Sequence, residues 1–245
     1  ENTVKAYVPL DSFEKEAVTE IVTRYEELFS SSFEVIEHED KNWNEEWENN
    51  FHPVEITTDC IIRAHFHSLE KQYAYDIIIT PKMSFGTGHH ETTSLMIQSE
   101  MELDFVDKDV IDVGCGTGIL AIMANKLGAK KIFACDIDEW AFENGKENIA
   151  LNNANNIEIQ QGTIQEVNVP QSEYDIVLAN INKNVLLHDM STYQKYVKKE
   201  GILLLSGFYQ QDIQDIEECA KAQGFEKKHT KKDNNWVALT FQKVK

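Results

Sequence analysis

Residues 109–127 read DVIDVGCGTGILAIMANKL, and this stretch decides the fold. It begins as an apolar strand, passes through Gly114, Gly116 and Gly118, and continues as an apolar helix. Glycines at these positions permit a tight turn and let a ligand approach the backbone closely. The N-terminus of the following helix offers free N–H groups. The stretch therefore predicts a strand–loop–helix unit with a ligand site at its loop.

Strands and helices alternate on both sides of this unit. We predict strands at 109–113, 131–136, 157–161, 174–179 and 201–206, helices at 92–103, 118–127, 139–152, 184–198 and 210–223, and a closing hairpin at 225–243. Strands that alternate with helices of about ten or more residues imply a parallel sheet with crossover connections. The predicted fold class is α/β, a Rossmann-like sheet with helices on both faces.

The first forty residues form a different kind of unit. Residues 3–9 alternate like a strand, residues 11–29 have the spacing of an amphipathic helix, and residues 33–37 predict a second strand. Together they make one β-α-β half of a small α+β domain. Such a half cannot bury both faces of its sheet alone, so we expect the other half to precede residue 1.

A connecting segment follows the N-terminal unit. Residues 41–51 predict a helix with Trp43, Trp47 and Phe51 on one stripe, and residues 54–80 predict two or three antiparallel strands. We therefore divide the chain into a partial N-terminal domain at 1–40, a linker helix with antiparallel strands at 41–80, and a ligand-binding domain at 81–245.

The charge of the chain limits its partners. The formal net charge is -19, and residues 1–50 alone contain fourteen acidic and four basic side chains, a balance of -10. Such a surface repels nucleic acid and attracts a basic partner, although solubility alone also explains much of the acidity. The sequence lacks a signal pattern, a CxxC pair and an apolar run of the roughly 20 residues that a membrane span needs, so we expect a cytoplasmic protein with reduced thiols.

An acidic residue follows the second predicted strand of the α/β region. Asp136 ends KIFACD, where a carboxylate can accept hydrogen bonds from ribose hydroxyls, whereas Asp138 is expected to cap the next helix. Dinucleotide dehydrogenases carry G-x-G-x-x-G at the preceding loop. Here the spacing is G-x-G-x-G, with Asp112 two places before the first glycine. This arrangement resembles motif I of class I methyltransferases, which bind S-adenosylmethionine.

Two further motifs flank the glycine-rich loop. FGTGHHETT at 85–93 predicts a loop that runs into a helix, which Thr92 or Thr93 begins or caps. Adjacent histidines rarely converge on one ion, so the His89-His90 pair is not interpreted as a metal site and no metal is expected. The motif at 175–182 (DIVLANIN) is an apolar strand followed by Asn180 and Asn182, at the carboxyl edge where open α/β sheets bind ligands.

In this order, FGTGHHETT, DVGCGTGILAI, the acid of CDID and VLANI resemble the PrmA-type methyltransferases over roughly residues 41–243. These enzymes modify ribosomal protein L11 at the stalk base of the large subunit, and NWNEEWENNFHPVEI resembles their interdomain linker. The resemblance implies an N-terminal ferredoxin-like recognition domain, S-adenosylmethionine as co-substrate, and methylation of lysine or N-terminal amines. The cofactor contacts that it implies are Phe85, Thr87, Thr93, Gly114, Gly116, Gly118, Asp136 and Asn180, with Asn180 also orienting the amine and Phe85-Gly86-Thr87 near the methionine end.

Two departures and two alternatives accompany this resemblance. Many class I enzymes place an acid after the third strand to meet adenine, whereas this chain has Gly162-Thr163 there, which makes Thr163 the candidate contact at this position. Asn180 precedes Ile181 rather than the Pro-Pro-Tyr of enzymes that methylate planar nitrogens, which favours an amine acceptor. A methyltransferase acting on a small molecule or RNA, and a non-catalytic cofactor-binding protein, remain the alternatives. The acidic surface, the accessory N-terminal unit and the intact loop argue against them.

Overall fold

The computed structural model describes residues 8, 13–25, 33–35, 52–80, 86, 88 and 90–244. The chain divides into two compact units, Glu1–Asn50 and Phe51–Lys245.

In the first unit, helix α1 spans Lys15–Arg24, inside the helix predicted at 11–29. Residues 33–35 fall within a predicted strand but do not belong to one, so that prediction is wrong for these three residues. Apart from Val8, the strand predicted at 3–9 lies outside the described residues, as does the linker helix predicted at 41–51.

A small three-stranded sheet opens the second unit. It consists of β1 (Val54–Thr57), β2 (Cys60–Arg63) and β3 (Tyr75–Ile78). A tight turn makes β1 and β2 antiparallel as predicted, but β2 and β3 are parallel. The prediction of antiparallel strands throughout 54–80 is therefore wrong, because the chain between β2 and β3 is long enough to return and run in the same direction.

The large sheet and its helices follow the predicted alternation. The strands are β4 (Asp109–Val113), β5 (Lys131–Asp136), β6 (Ile157–Gln161), β7 (Tyr174–Asn180), β8 (Val197–Tyr209), β9 (Phe225–Asp233) and β10 (Trp236–Lys243), and the helices are α2 (Glu91–Glu100), α3 (Ile119–Lys126), α4 (Glu139–Leu151), α5 (Lys183–Tyr196) and α6 (Ile213–Ala222). The strand order is β6-β5-β4-β7-β8-β10-β9. The first five are parallel, and β10 pairs antiparallel with both β8 and β9.

This order fixes where a ligand site is expected. From β4 the chain builds outward through β5 and β6 on one side, and then through β7 and β8 on the other. The direction of winding therefore reverses between β4 and β7, and open α/β sheets bind ligands at the carboxyl ends of the strands beside such a point.

Two apolar layers enclose the large sheet. Neighbouring residues of β4 point to opposite faces: Val110 packs with α2, α3 and the small sheet, whereas Ile111 packs with α5 and α6. Lys243 is buried beneath the second layer, where its Nζ donates to the carbonyls of Gln194 and Val197, both at 2.7 Å, at the end of α5. The result is a three-layer α/β/α domain whose loops are free to form a site.

The predicted boundaries differ from the structure mainly beyond β7. β8 extends to Tyr209, past the predicted end at 206, and α6 is preceded by a 3-10 turn at Gln210–Asp212. The predicted closing hairpin is confirmed as β9 and β10. Of the helices that the structure describes, none has the length and apolar character required to cross a membrane.

Candidate active site

The glycine-rich loop after β4 folds back onto the end of β5. The amides of Gly114 and Cys115 donate to the carbonyl of Cys135 at 2.8 and 3.0 Å. Gly114 has a φ of +68°, and a Cβ on it would overlap Cγ2 of Ile181. Only glycine is compatible with both the left-handed backbone and this close approach, so the end of β7 lies directly against the loop.

Asp136 joins the loop to the end of β5. Its Oδ2 accepts from the amide of Gly116 at 2.8 Å and its Oδ1 from the amide of Asp138 at 3.0 Å. Each carboxylate oxygen still has acceptor capacity for a ligand, because an ionised carboxylate accepts about four hydrogen bonds. Asp138 caps α4 through the amide of Ala141 at 2.9 Å, which confirms its predicted role. Ile137 between them is 68% exposed and was missed by the sequence reasoning.

Asp112 lies buried under the loop. Its Oδ2 accepts from the amide of Ala121 at 3.2 Å, near the start of α3. Burial raises the pKa of Asp112 to about 7; the Ala121 hydrogen bond opposes the rise and the charge of Asp136 adds to it.

Asn180 and Thr93 contribute buried polar atoms for which the described residues provide no hydrogen-bond partner. Asn180 ends β7 opposite Ser206 of β8, and its Oδ1 has no hydrogen-bond partner in the described part of the chain. Thr93 lies in the first turn of α2, fully buried, and its Oγ1 also has none among the described residues. Buried polar atoms without partners are costly, so a polar ligand that reached these two atoms would satisfy them. Asn182, by contrast, caps α5 through the amide of Val185.

The FGTGHHETT segment is described at Gly86, Gly88 and from His90 onward; Phe85, Thr87 and His89 lie outside the described residues. α2 begins at Glu91, and His90 rather than a threonine caps it, because its Nδ1 accepts from the amide of Thr92 at 3.2 Å. The suggestion that Thr92 or Thr93 caps the helix is therefore wrong, and Glu91 rather than either threonine begins it, although both threonines lie in its first turn. The His90 ring also packs edge-on against Trp236, with centroids 4.6 Å apart, which holds it in the capping position.

The ends of β8 and β10 rise above the site. Tyr209 and Trp236 face each other across these strands with ring centroids 4.2 Å apart. They lie three residues beyond Ser206, which is level with Asn180, so at ~3.3 Å per residue they stand about 10 Å past the edge of the parallel strands. The Tyr209–Trp236 pair was not predicted, because the predicted strand ended at residue 206 whereas β8 extends to Tyr209.

Thr163, the candidate contact after β6, is hydrogen-bonded to a nearby acidic residue. The Thr163 amide and hydroxyl both donate to Oε2 of Glu166, at 3.1 and 2.9 Å. These hydrogen bonds lower the pKa of Glu166. An acidic residue, Glu166, is therefore present beside Thr163, three residues further along the chain.

The parallel sheet, the glycine-rich loop beside the winding reversal and Asp136 at the end of the neighbouring strand β5 define a Rossmann-like class I methyltransferase. More narrowly, the chain belongs to the ribosomal protein L11 methyltransferase (PrmA) family, whose sequence profile matches residues 1–244.

Individual relatives agree with this assignment. Proteins named ribosomal protein L11 methyltransferase from Porphyromonas gingivalis and Phocaeicola vulgatus are 42% and 43% identical to this chain, and each alignment covers 98% of it and 83% and 86% of the relative. A crystal structure of the ribosomal protein L11 methylase from Lactobacillus delbrueckii subsp. bulgaricus is similar with a TM-score of 0.72 and 26% identity. That similarity covers 80% of this chain and 100% of the other.

Proposed function

We propose that this protein transfers methyl groups from S-adenosylmethionine to amines of ribosomal protein L11, on lysine side chains, at the N-terminus or both. The observation that carries the proposal is the meeting of the glycine-rich loop, Asp136 and Asn180 at one sheet edge in a chain of this family. We further propose a cytoplasmic location, where a ribosomal substrate of the large-subunit stalk base is made.

The co-substrate is proposed to lie across the ends of β4 and β5. Gly114, Gly116 and Gly118 leave room for it beside the loop, and Asp136 binds the ribose hydroxyls. The exposed side chain of Ile137, next to Asp136, offers an apolar surface to the adenine ring. Phe85, Gly86, Thr87 and Thr93 are proposed to surround the methionine end.

Bound S-adenosylmethionine supplies a methyl group on a cationic sulfur, so the reaction as proposed uses no metal ion. The protein's main task is to align the acceptor nitrogen with that methyl group, since alignment alone can supply much of the rate enhancement. Asn180 does this by accepting a hydrogen bond from the amine through its Oδ1, which has no partner among the described residues. Burial at the edge disfavours the ammonium form, so the amine arrives with a free lone pair. No general base is proposed.

The N-terminal unit is proposed to select the protein substrate. The cofactor motifs all follow residue 84, while the strongest acidic excess precedes residue 51. Such a field steers a basic protein toward the enzyme and opposes direct binding to nucleic acid. To test this, the exposed Glu14 and Glu16 are neutralised to Gln and compared with neutralised Glu173 and Glu218 of the second unit. Only the first pair should raise KM for L11, and the difference should fade at high salt; equal effects would reject selection by this unit.

The test of the main proposal is incubation of the protein with labelled S-adenosylmethionine and purified L11, followed by mass mapping. Calorimetry with S-adenosylmethionine and NAD accompanies it. We expect label on L11 and binding of S-adenosylmethionine alone. Asn180→Ala should abolish transfer, whereas the matched Asn182→Ala should lose only the helix cap, about 1 kcal/mol of stability. Binding of NAD but not S-adenosylmethionine would overturn the proposal, and label on RNA or a small molecule in place of L11 would favour the alternative acceptor.

A further inference from the structure

Helix α4 and the residue that caps its C-terminus carry three asparagines at four-residue spacing, Asn144, Asn148 and Asn152, which we call the asparagine row. Residues four apart lie on one face of a helix. Their side chains bind the backbone that leaves β3. Asn152 accepts from the amide of Ile78 at 3.0 Å and donates to its carbonyl at 2.6 Å. Asn148 accepts from the amide of Thr80 at 2.8 Å, and Asn144 donates to its carbonyl at 3.2 Å. The row therefore pairs with this segment as a neighbouring strand would.

Asn148 differs from the other two because it also reaches the glycine-rich loop. Its Nδ2 donates to the carbonyl of Thr117 at 2.9 Å. Thr117 in turn donates from Oγ1 to the carbonyl of Gly86 at 2.6 Å. Asn148 and Thr117 are both fully buried. One amide and one hydroxyl thus connect the loop between β4 and α3 to two separate points, Thr80 and Gly86, on the segment that precedes α2.

Two glycines make this connection possible. A Cβ on Gly145 would lie 2.8 Å from Cδ1 of Ile159 and 3.3 Å from the carbonyl oxygen of Gly116, so glycine lets α4 approach the loop closely. A Cβ on Gly86 would lie 2.7 Å from Oγ1 of Thr117, and its φ of +98° belongs to the region that favours glycine. A side chain at Gly86 would therefore displace the hydroxyl that holds it.

We infer that Thr117 and Asn148 are positioning residues that hold the glycine-rich loop in its cofactor-binding conformation by fixing it to Thr80 and Gly86. Thr117 stands between Gly116 and Gly118, whose flexible backbones would otherwise sample many conformations. Fixing a loop in its bound conformation raises affinity because less entropy is lost on binding. The inference rests on the proposed function, since it concerns affinity for S-adenosylmethionine.

The test measures the dissociation constant of S-adenosylmethionine by calorimetry on the full chain. Asn148→Ala is compared with Asn152→Ala, because both remove bonds to the segment after β3 but only Asn148 contacts the loop. Thr117→Val, which removes the hydroxyl and keeps the shape, is compared with Thr117→Ser, which keeps the hydroxyl. We expect Asn148→Ala and Thr117→Val to weaken binding about tenfold, as the loss of one or two buried hydrogen bonds implies. Asn152→Ala and Thr117→Ser should stay within about twofold.

A double-mutant cycle separates positioning from general destabilisation. The effects of Thr117→Val and Asn148→Ala on affinity should be non-additive, because both changes remove hydrogen bonds that hold the same loop residue, Thr117, whereas the effects of Thr117→Val and Asn152→Ala should add. Equal losses for Asn148→Ala and Asn152→Ala, or additive effects in the first pair, would overturn the inference. If Asn148→Ala does not fold, the comparison of Thr117→Val with Thr117→Ser decides by itself. Failure of the wild-type chain to bind S-adenosylmethionine would instead contradict the proposed function.

Discussion

Glu100, at the end of α2, should make the protein less stable as the pH rises from mildly acidic to neutral. The residue is fully buried, and neither carboxylate oxygen has a hydrogen-bond partner among the described residues. Burial raises the pKa of Glu100 well above its usual value of 4.5, and the charge of Asp112 raises it further. In the folded protein the group therefore keeps its proton at pH values where the unfolded chain releases it.

The sign and size of the effect follow from this difference. A raised folded-state pKa contributes stability that is complete below pH 4.5 and is lost as the pH rises toward the folded-state pKa. Each pH unit in that window costs about 1.36 kcal/mol, so the loss between pH 5 and pH 7 is at most about 2.7 kcal/mol. Glu100→Gln removes the titration with little change of shape. Relative to wild type, the variant should gain stability steadily over this range.

Urea unfolding at several pH values between 5 and 7 measures the difference. Glu91→Gln, on the first turn of the same helix, is the matched control. The pKa of Glu91 is lowered by its own backbone amide and by the side chain of Asn234, so its contribution has the opposite sign and is lost only below its usual value of 4.5. Its difference curve should be flat from pH 5 to 7. Parallel curves for wild type and Glu100→Gln would show that Glu100 is not held protonated.

Three other variants test the site and the core. Asp136→Ala should weaken S-adenosylmethionine binding by about 1.5–3 kcal/mol, the value of a hydrogen bond to a charged group, while Asp138→Ala should lower only the melting temperature; equal losses of affinity in calorimetry would show that the wrong acid was chosen. Gly114→Ala should remove cofactor binding because its Cβ overlaps Ile181. A second change, Ile181→Ala, should restore part of that binding. No restoration would show that the left-handed backbone at Gly114, and not the overlap, causes the loss. Lys243→Met removes the hydrogen bonds to the carbonyls of Gln194 and Val197 and should cost about 1–3 kcal/mol in chemical denaturation; an unchanged midpoint would contradict that account.

The parts of the fold that sequence predicted are those specified locally. The β4–loop–α3 unit, Asp136 and the helix cap Asp138 each depend on residues close together in the chain, and the alternation of strands and helices implied the parallel sheet. The predicted direction of β3 was wrong, because the alternation of apolar and polar residues identifies a strand but not the strand with which it pairs. His90 as a helix cap was missed for a similar reason: its position depends on Trp236, a distant residue.

The residues of the site also divide into those specified locally and those that depend on distant parts of the chain. Its glycines and the residues that end β5 and β7 were predictable, because strand ends in a parallel sheet meet at one edge. The spacing of Asn144, Asn148 and Asn152 is visible in the sequence, but their partners at Ile78 and Thr80 are not. Glu166 supplies an acid beside Thr163, but it lies three residues after the position at which the sequence pattern led us to expect one. Residues that act through distant backbone groups therefore require the three-dimensional structure.

The position of β10 inside the large sheet constrains the order in which the chain can fold during its synthesis. β9 leaves the ribosome before β10, yet in the described structure it pairs with β10 alone. Until residues 236–243 have emerged, β8 keeps an open edge and β9 has no strand to join. Open strand edges invite pairing with other chains. The five parallel strands can thus form early, but the open edge of β8 is covered only when β10 pairs with it, and β9 then joins the sheet through β10.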